Sequence, residues 1–305
     1  MNQLTRRTAL GMVLAGTLLP ERRARAQPSH RERIIISGAS GQLGGQALKW
    51  LLAKGVPARD LILVSRTPQR LAAYATQGAS VRFGDFSQPD SLPAAYAGGT
   101  RMLLISIGFS SLPRPEAHRR AIEAAKHAGV RHIAYTSWIG ISRGDNTGIA
   151  VDHLATEDIL RNSGVAWTFL RNSLYMEVLL PAAAKFVAEG KAAAPTHEVR
   201  IGFVARADCA AAAAAAVSRP GHADRAYDIT GPALLGVREV ARAAAEASGR
   251  RIDVVVGESG AALVRFGGPS ASVTSTAVAD LTGAQPISIE QFLTENRSKL
   301  VSASG

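Results

Sequence analysis

A β-branched run that breaks on glycines and resumes as a helix constrains this chain more than any other feature. Residues 33–37 read Arg-Ile-Ile-Ile-Ser, the pattern of a strand buried on both faces of a parallel sheet. Gly38-Ala39-Ser40-Gly41-Gln42-Leu43-Gly44-Gly45 follows, then Ala47, Leu48, Leu51 and Leu52 at helical spacing. Gly38 suits a tight turn, Gly41 a backbone that must approach a ligand, and Gly44 close packing of helix on strand. The helix N-terminus offers unpaired N–H groups and a positive dipole end to phosphate. Set between strand and helix, this spacing points to a dinucleotide pyrophosphate.

The alternation continues. Strands are expected at residues 61–65, 81–83, 101–105, 132–136 and 166–170, with helical stretches between most of them. This pattern predicts an α/β fold of the Rossmann type, a doubly wound parallel sheet with its ligand beyond the carboxyl ends of the strands. Those ends carry Ser65-Arg66, Gly84-Asp85-Phe86, Ser106-Ile107-Gly108, Ser137-Trp138 and Arg171-Asn172. The chain has 305 residues, 47% hydrophobic and 19% charged, enough for a large core and too apolar for disorder. Only 5% is aromatic, which argues against a stacking platform for single-stranded nucleic acid. One cysteine, Cys209, excludes an intrachain disulfide, and the seven histidines show no ligand spacing, so no metal is assigned.

The second strand states a cofactor preference. A site for NAD usually places Asp or Glu there, accepting from the ribose hydroxyls. Here Val64-Ser65-Arg66-Thr67-Pro68 has no carboxylate. Arg66 offers a planar fork to a 2′-phosphate, with Arg70 as a second basic group, so NADP(H) is expected.

Residues 1–26 read as an address label. Arg6 and Arg7 precede a short apolar run, and Ala24-Arg25-Ala26 matches a small-x-small cleavage site. Thr5 before the pair and Leu10 after it resemble a twin-arginine export signal, implying the Tat machinery and the periplasm, or the cytoplasm if export is inefficient. Removing its five arginines and one glutamate lowers the formal charge from +11 to +7. That balance suits a dinucleotide and requires no nucleic acid. No later stretch has the length and apolarity of a membrane span.

Towards the C-terminus, Asp208 is expected to cap an alanine-rich helix that buries Cys209. Gly231-Pro232 marks a turn into a helix over residues 237–248 that ends on Gly249, and residues 288–300 read as one amphipathic helix with Ser288 as its cap.

The loop GASGQLGG, the strand end LVSRTPQR, Gly84-Asp85-Phe86, the stretch HIAYTS at 132–137 and Phe169-Leu170-Arg171-Asn172-Ser173 together resemble the NmrA-like atypical short-chain dehydrogenases. Within them, the chain is most similar to the NADPH:quinone oxidoreductase type 2 group. The likeness spans most of residues 33–256 and returns in the C-terminal helices. It implies an NADP-binding domain over residues 31–175, completed by about 199–230. It also implies a small C-terminal α/β substrate domain from residues 176–198 and 231–305. Gly38, Ala39, Ser40, Gly41, Gln42, Leu43, Gly44 and Arg66 would then hold the phosphates, Phe86 beside Asp85 would flank the adenine, and Ser106, Ile107, Thr136, Ser137 and Trp138 would line the nicotinamide end. Arg171, Asn172 and Tyr175 would lie near nicotinamide and substrate. Between Glu258 and Val273 the chain is shorter than the group, which carries a helical insertion over the cleft there.

Conventional short-chain dehydrogenases pair a Tyr with a Lys four residues on, the Lys lowering the pKa of the Tyr proton donor. Four residues after Tyr74, Tyr96, Tyr135, Tyr175 and Tyr227 stand Gly78, Thr100, Ile139, Leu179 and Gly231. The corresponding helix carries His153 and Glu157, read as a solvated pair one turn apart. No catalytic residue is assigned, His153 and Tyr175 being the nearest candidates. Reducing a simple ketone without a tuned acid would leave a basic alkoxide, whereas a quinone gives a phenolate whose acid has a pKa of about 10. The expected function is hydride transfer from NADPH to a quinone-type acceptor by a monomer or homodimer. Two alternatives stand beside it: a catalytically silent NADP(H) sensor, and a reductase of another conjugated acceptor.

Overall fold

Seven parallel strands form the main sheet of the computed structural model, which describes residues 32–108, 112–141, 144, 148–257 and 269–301. The strands are β1 (Ile34–Ser37), β2 (Leu61–Ser65), β3 (Ser80–Phe83), β4 (Arg101–Leu104), β5 (His132–Trp138), β6 (Ala166–Asn172) and β8 (Arg225–Ile229), with β7 (Lys191–Ala194) and β9 (Asp253–Val256) paired separately. Their order is β3-β2-β1-β4-β5-β6-β8, every ladder parallel. The chain therefore leaves β1 in one direction for β2 and later crosses to its other side for β4. The crevice at that reversal, above the carboxyl ends of β1 and β4, is where doubly wound sheets bind ligands.

The helices are α1 (Gln42–Ala53), α2 (Ala72–Ala75), α3 (Leu92–Tyr96), α4 (Arg114–His127), α5 (Ile149–Arg161), α6 (Leu180–Glu189), α7 (Arg206–Ser218), α8 (Val237–Ser248), α9 (Ala277–Thr282), α10 (Ile289–Glu295) and α11 (Arg297–Val301). Successive strand residues face opposite sides, and the packing follows that period. Ile34, Ile36, Leu61, Leu63, Leu103, Ala134 and Leu170 pack on α1, α7 and α9. Ile35, Ile62, Val64, Met102, Ile133, Tyr135 and Phe169 face α3, α4 and α5. Both faces are covered, which explains why β1 and β2 read as unbroken apolar runs. A further cluster joins α6, β7, α8, α10 and α11.

The alanine run makes α7 a thin helix, with Ala212 to Ala216 fully buried against α1 and the sheet. Asp208 does not cap it. Ala205 holds the cap position, and the Asp208 carboxylate instead accepts from the Ile287 N–H at 2.8 Å, tying α7 to the chain before α10. Cys209 is buried, and burial raises its thiol pKa. Ser288 does cap α10, accepting from the Gln291 N–H. The single last helix expected there is two, because Asn296 stops α10 with its side-chain N–H on the Phe292 carbonyl at 2.8 Å. Among the described residues no helix is long and apolar enough to cross a membrane. The expected export signal, and most of the short stretch 258–273, lie outside the described residues.

Candidate cofactor site

Each part of the glycine loop has a visible cause. Gly38 lies at φ +96°, a conformation that side chains rarely adopt, and its N–H and that of Ala39 both donate to the Val64 carbonyl at 3.0 Å. The loop is thereby folded over the end of β2. Gly44 is one turn into α1, where an added Cβ would lie 2.3 Å from the Gly38 oxygen, so only glycine lets helix and loop approach this closely. At Gly41 an added Cβ would meet only that same oxygen, at 3.2 Å, leaving its outer side bare. α1 opens on Gly41 with no side-chain cap and no acidic residue in its first turn. Its first N–H groups have no partner from within the helix, and nothing there repels an anion.

Beside the loop, the Ser40 and Ser65 hydroxyls lie 2.6 Å apart, and the Thr67 N–H donates to Ser65 Oγ at 2.9 Å. Arg66 and Arg70 project into solvent from this knot, and no carboxylate of the described residues pairs with either. The part played by Thr67 was not legible in the sequence, since a threonine after a strand is common. Asp85 is occupied locally, its carboxylate accepting from the Ser87 N–H and its own N–H donating to Ser91 Oγ. Phe86 is half-buried, edge-to-face with His118 at 6.1 Å. The Ser106 N–H donates to Thr136 Oγ1 at 2.8 Å, joining the ends of β4 and β5.

The solvated His153–Glu157 pair is overturned. Glu157 is fully buried, where it accepts from Ser137 Oγ at 2.6 Å, from Arg171 Nε and Nη2 at 3.0 and 2.7 Å, and from Arg161 Nη2 at 2.8 Å. Two arginines and a hydroxyl satisfy one carboxylate, the condition under which a buried charge is tolerated. The side chains of Ser137, expected to line the nicotinamide end, and of Arg171, expected near nicotinamide and substrate, are spent on this knot between β5, β6 and α5. His153 is 4% exposed, with Nδ1 2.8 Å from the Tyr135 hydroxyl and its ring stacked near Trp138. Burial, with the nearby Arg114 and His118, lowers its pKa to about 3, so it is neutral at physiological pH. Tyr175 is half-buried beneath the Arg206 guanidinium, and burial raises the pKa of its phenol. The buried Asn172 Oδ1 has no hydrogen-bond partner among the described residues. Such an orphaned acceptor at a strand's carboxyl end fits a site whose ligand brings a donor.

The glycine loop, the uncapped helix and the orphaned Asn172 oxygen lie at the ends of β1 and β6, where a dinucleotide fits. A family model described as NAD(P)H-binding matches residues 38–220. The chain is 36% identical to quinone oxidoreductase 2 of Escherichia coli strain K12 over 219 residues, 72% of this chain and 76% of that protein. It is 30% identical to an NAD(P)H azoreductase of Xenophilus azovorans over 224 residues, 73% of this chain and 76% of that one. The crystal structure of an NADPH-dependent quinone oxidoreductase from Escherichia coli, complexed with NADPH, superposes with a TM-score of 0.76 at 31% identity, covering 86% of this chain and 99% of the other. The chain belongs to the NAD(P)H-binding, NmrA-like family and is related to NAD(P)H-dependent oxidoreductases.

Proposed function

We propose that this protein transfers hydride from NADPH to a quinone-type acceptor. The observation that carries this is the bare, uncapped start of α1 beside a strand end with no carboxylate and two exposed arginines that no carboxylate among the described residues pairs with. NADPH, when bound, supplies the hydride. The chain's own part is to bind and orient: the Gly38–Gly44 loop and first turn of α1 for the pyrophosphate, Arg66 with Arg70 for the 2′-phosphate, and Phe86 at the adenine. The Ser106-Ile107 backbone, Thr136, Trp138, Asn172 and Tyr175 would stand towards nicotinamide and acceptor. The apolar cluster of α6, α8 and α10 would form the substrate lobe. No Tyr has a Lys one turn on, and His153 is buried and neutral. A quinone suits such a site because its reduced form leaves as a phenolate that water can protonate.

Steady-state oxidation of NADPH with a small quinone tests the reading. Turnover with quinones above azo dyes and enones supports it, faster turnover with an enone supports another conjugated acceptor, and tight NADPH binding without turnover supports a sensor. Two variants probe the cofactor. Gly41→Val places a branched side chain on the open side of the loop, and its Kd for NADPH is expected to rise at least tenfold by calorimetry, a loss of about 1.4 kcal/mol or more. Arg66→Asp removes the phosphate fork and supplies ribose acceptors. Its ratio of NADPH to NADH affinity is expected to fall by roughly tenfold to a hundredfold; an unchanged ratio would remove Arg66 from the site. The first 26 residues support export through a cleaved signal, which sequencing the mature N-terminus tests: Gln27 supports it and Met1 opposes it.

A further inference from the structure

We propose that His118 and Arg114 are positioning residues of the cofactor site, because between them they hold the backbone N–H and the carbonyl of Ile107, in two successive peptide groups, and so fix residues 106–108 just after β4. The proposal rests on the dinucleotide reading above. Ile107 donates its N–H to His118 Nε2 at 3.2 Å and accepts from Arg114 Nε at 3.0 Å. His118 Nδ1 lies 3.1 Å from Thr156 Oγ1, and the Thr156 hydroxyl donates to the Asp152 carbonyl at 2.9 Å. Because Nε2 accepts, the proton sits on Nδ1 and points at Thr156, which defines one neutral tautomer. Arg114 Nη1 meets the Asp152 carboxylate at 2.9 Å.

The arrangement has a simple geometry. Residues 114 and 118 are one turn apart on α4, and residues 152 and 156 are one turn apart on α5. They make two rungs between the helices, and both rungs end on Ile107. The preceding Ser106 N–H is held from β5 by Thr136. His118 is fully buried, braced edge-on by Tyr135 at 5.2 Å and by Phe86. A loop needs none of this to stay folded in water, where its peptide groups would be solvated. Here two buried side chains on a helix are committed to the two peptide groups that flank the Ile107 Cα, at the switch point of the sheet. With its N–H taken and its carbonyl tied to Arg114, Ile107 acts as a fixed wall whose position depends on His118 and Arg114.

His118→Leu and His118→Gln test this. Leu removes the acceptor, whereas Gln can present Oε1 to the Ile107 N–H. In the cofactor-free protein, the Ile107 amide is expected to exchange with deuterium at least tenfold faster in the Leu variant than in wild type. The Kd for NADPH by calorimetry is expected to rise about tenfold, with Gln recovering most of both. Should the Leu variant not fold, Arg114→Lys carries the same test, since it keeps a cation for Asp152 and loses the Nε–H that holds Ile107. Faster exchange with unchanged Kd and kcat overturns the positioning role. A Gln variant no better than Leu overturns the assigned hydrogen bond. Wild-type protein that binds no NADPH overturns the dinucleotide reading, and this proposal falls with it.

Discussion

Gly44→Ala is expected to lose NADPH binding and to destabilise the fold, whereas Gly45→Ala next to it is expected to do neither. The added methyl at 44 would sit 2.3 Å from the Gly38 carbonyl oxygen and 2.9 Å from its carbon, both backbone atoms that cannot rotate away. Relief requires α1 to lift off the loop, and overpacking of this kind costs about 3 kcal/mol, or roughly 6–12 °C in Tm for a domain of this size. At 45 the methyl would meet only the Ala39 oxygen, at an ordinary 3.8 Å. Gly45 is within α1, where replacing glycine with alanine gains about 1 kcal/mol of helix propensity. The Tm values of the two variants should therefore move in opposite directions, and NADPH titration should show binding lost in Gly44→Ala and kept in Gly45→Ala. Equal Tm values would show that α1 does not need its close approach to the loop.

Acid is expected to unfold the protein well before its carboxylates would. Burial, assisted by neighbouring arginines, lowers the pKa of His118 and His153 to about 3 and that of His132 to about 4. All three are buried, and His132 is held between Arg101 and Thr168 at 3.1 and 2.8 Å. In the unfolded chain each would titrate near 6.5. Below that pH the unfolded state binds more protons than the folded one, so stability falls as pH falls, beginning near 6.5 and continuing to the folded values. Asp208 acts in the opposite sense, its carboxyl pushed up to about 6 by burial, so the folded state takes one proton earlier there. The net is about two protons, a slope of roughly 3 kcal/mol per pH unit. Two such units consume a typical stability of about 5–15 kcal/mol or a large part of it. Urea midpoints at pH 7.5, 6.0 and 5.0 should fall steeply, and a flat series would show that these histidines are not held neutral by the fold.

What could be read from the sequence depended on how local its cause was. The β1–α1 unit was legible because loop glycines, strand and helix are consecutive, and β2 was found at its observed limits, Leu61–Ser65. β7 was invisible, since Lys-Ala-Ala-Ala has no strand preference and pairs only because β9 lies beside it. The edge strand β8 was missed because its first residues, Arg225 and Ala226, remain exposed. The site divides in the same way. The glycines and Arg66 stand beside their own strand ends. The burial of Glu157 on α5 depends on Ser137 and Arg171, residues 20 and 14 positions away on the strands β5 and β6. An acid one turn from a histidine on a helix looks solvated until the partners that neutralise it are known. The hold on Ile107 needed the third dimension for the same reason, since its outer rung is on α5.

Calorimetric titration of the cofactor-free protein with NADPH, and separately with NADH, tests the central claim most directly. One site per chain that prefers NADPH is the predicted result. A trace with no heat and no change in Tm for either nucleotide would contradict it.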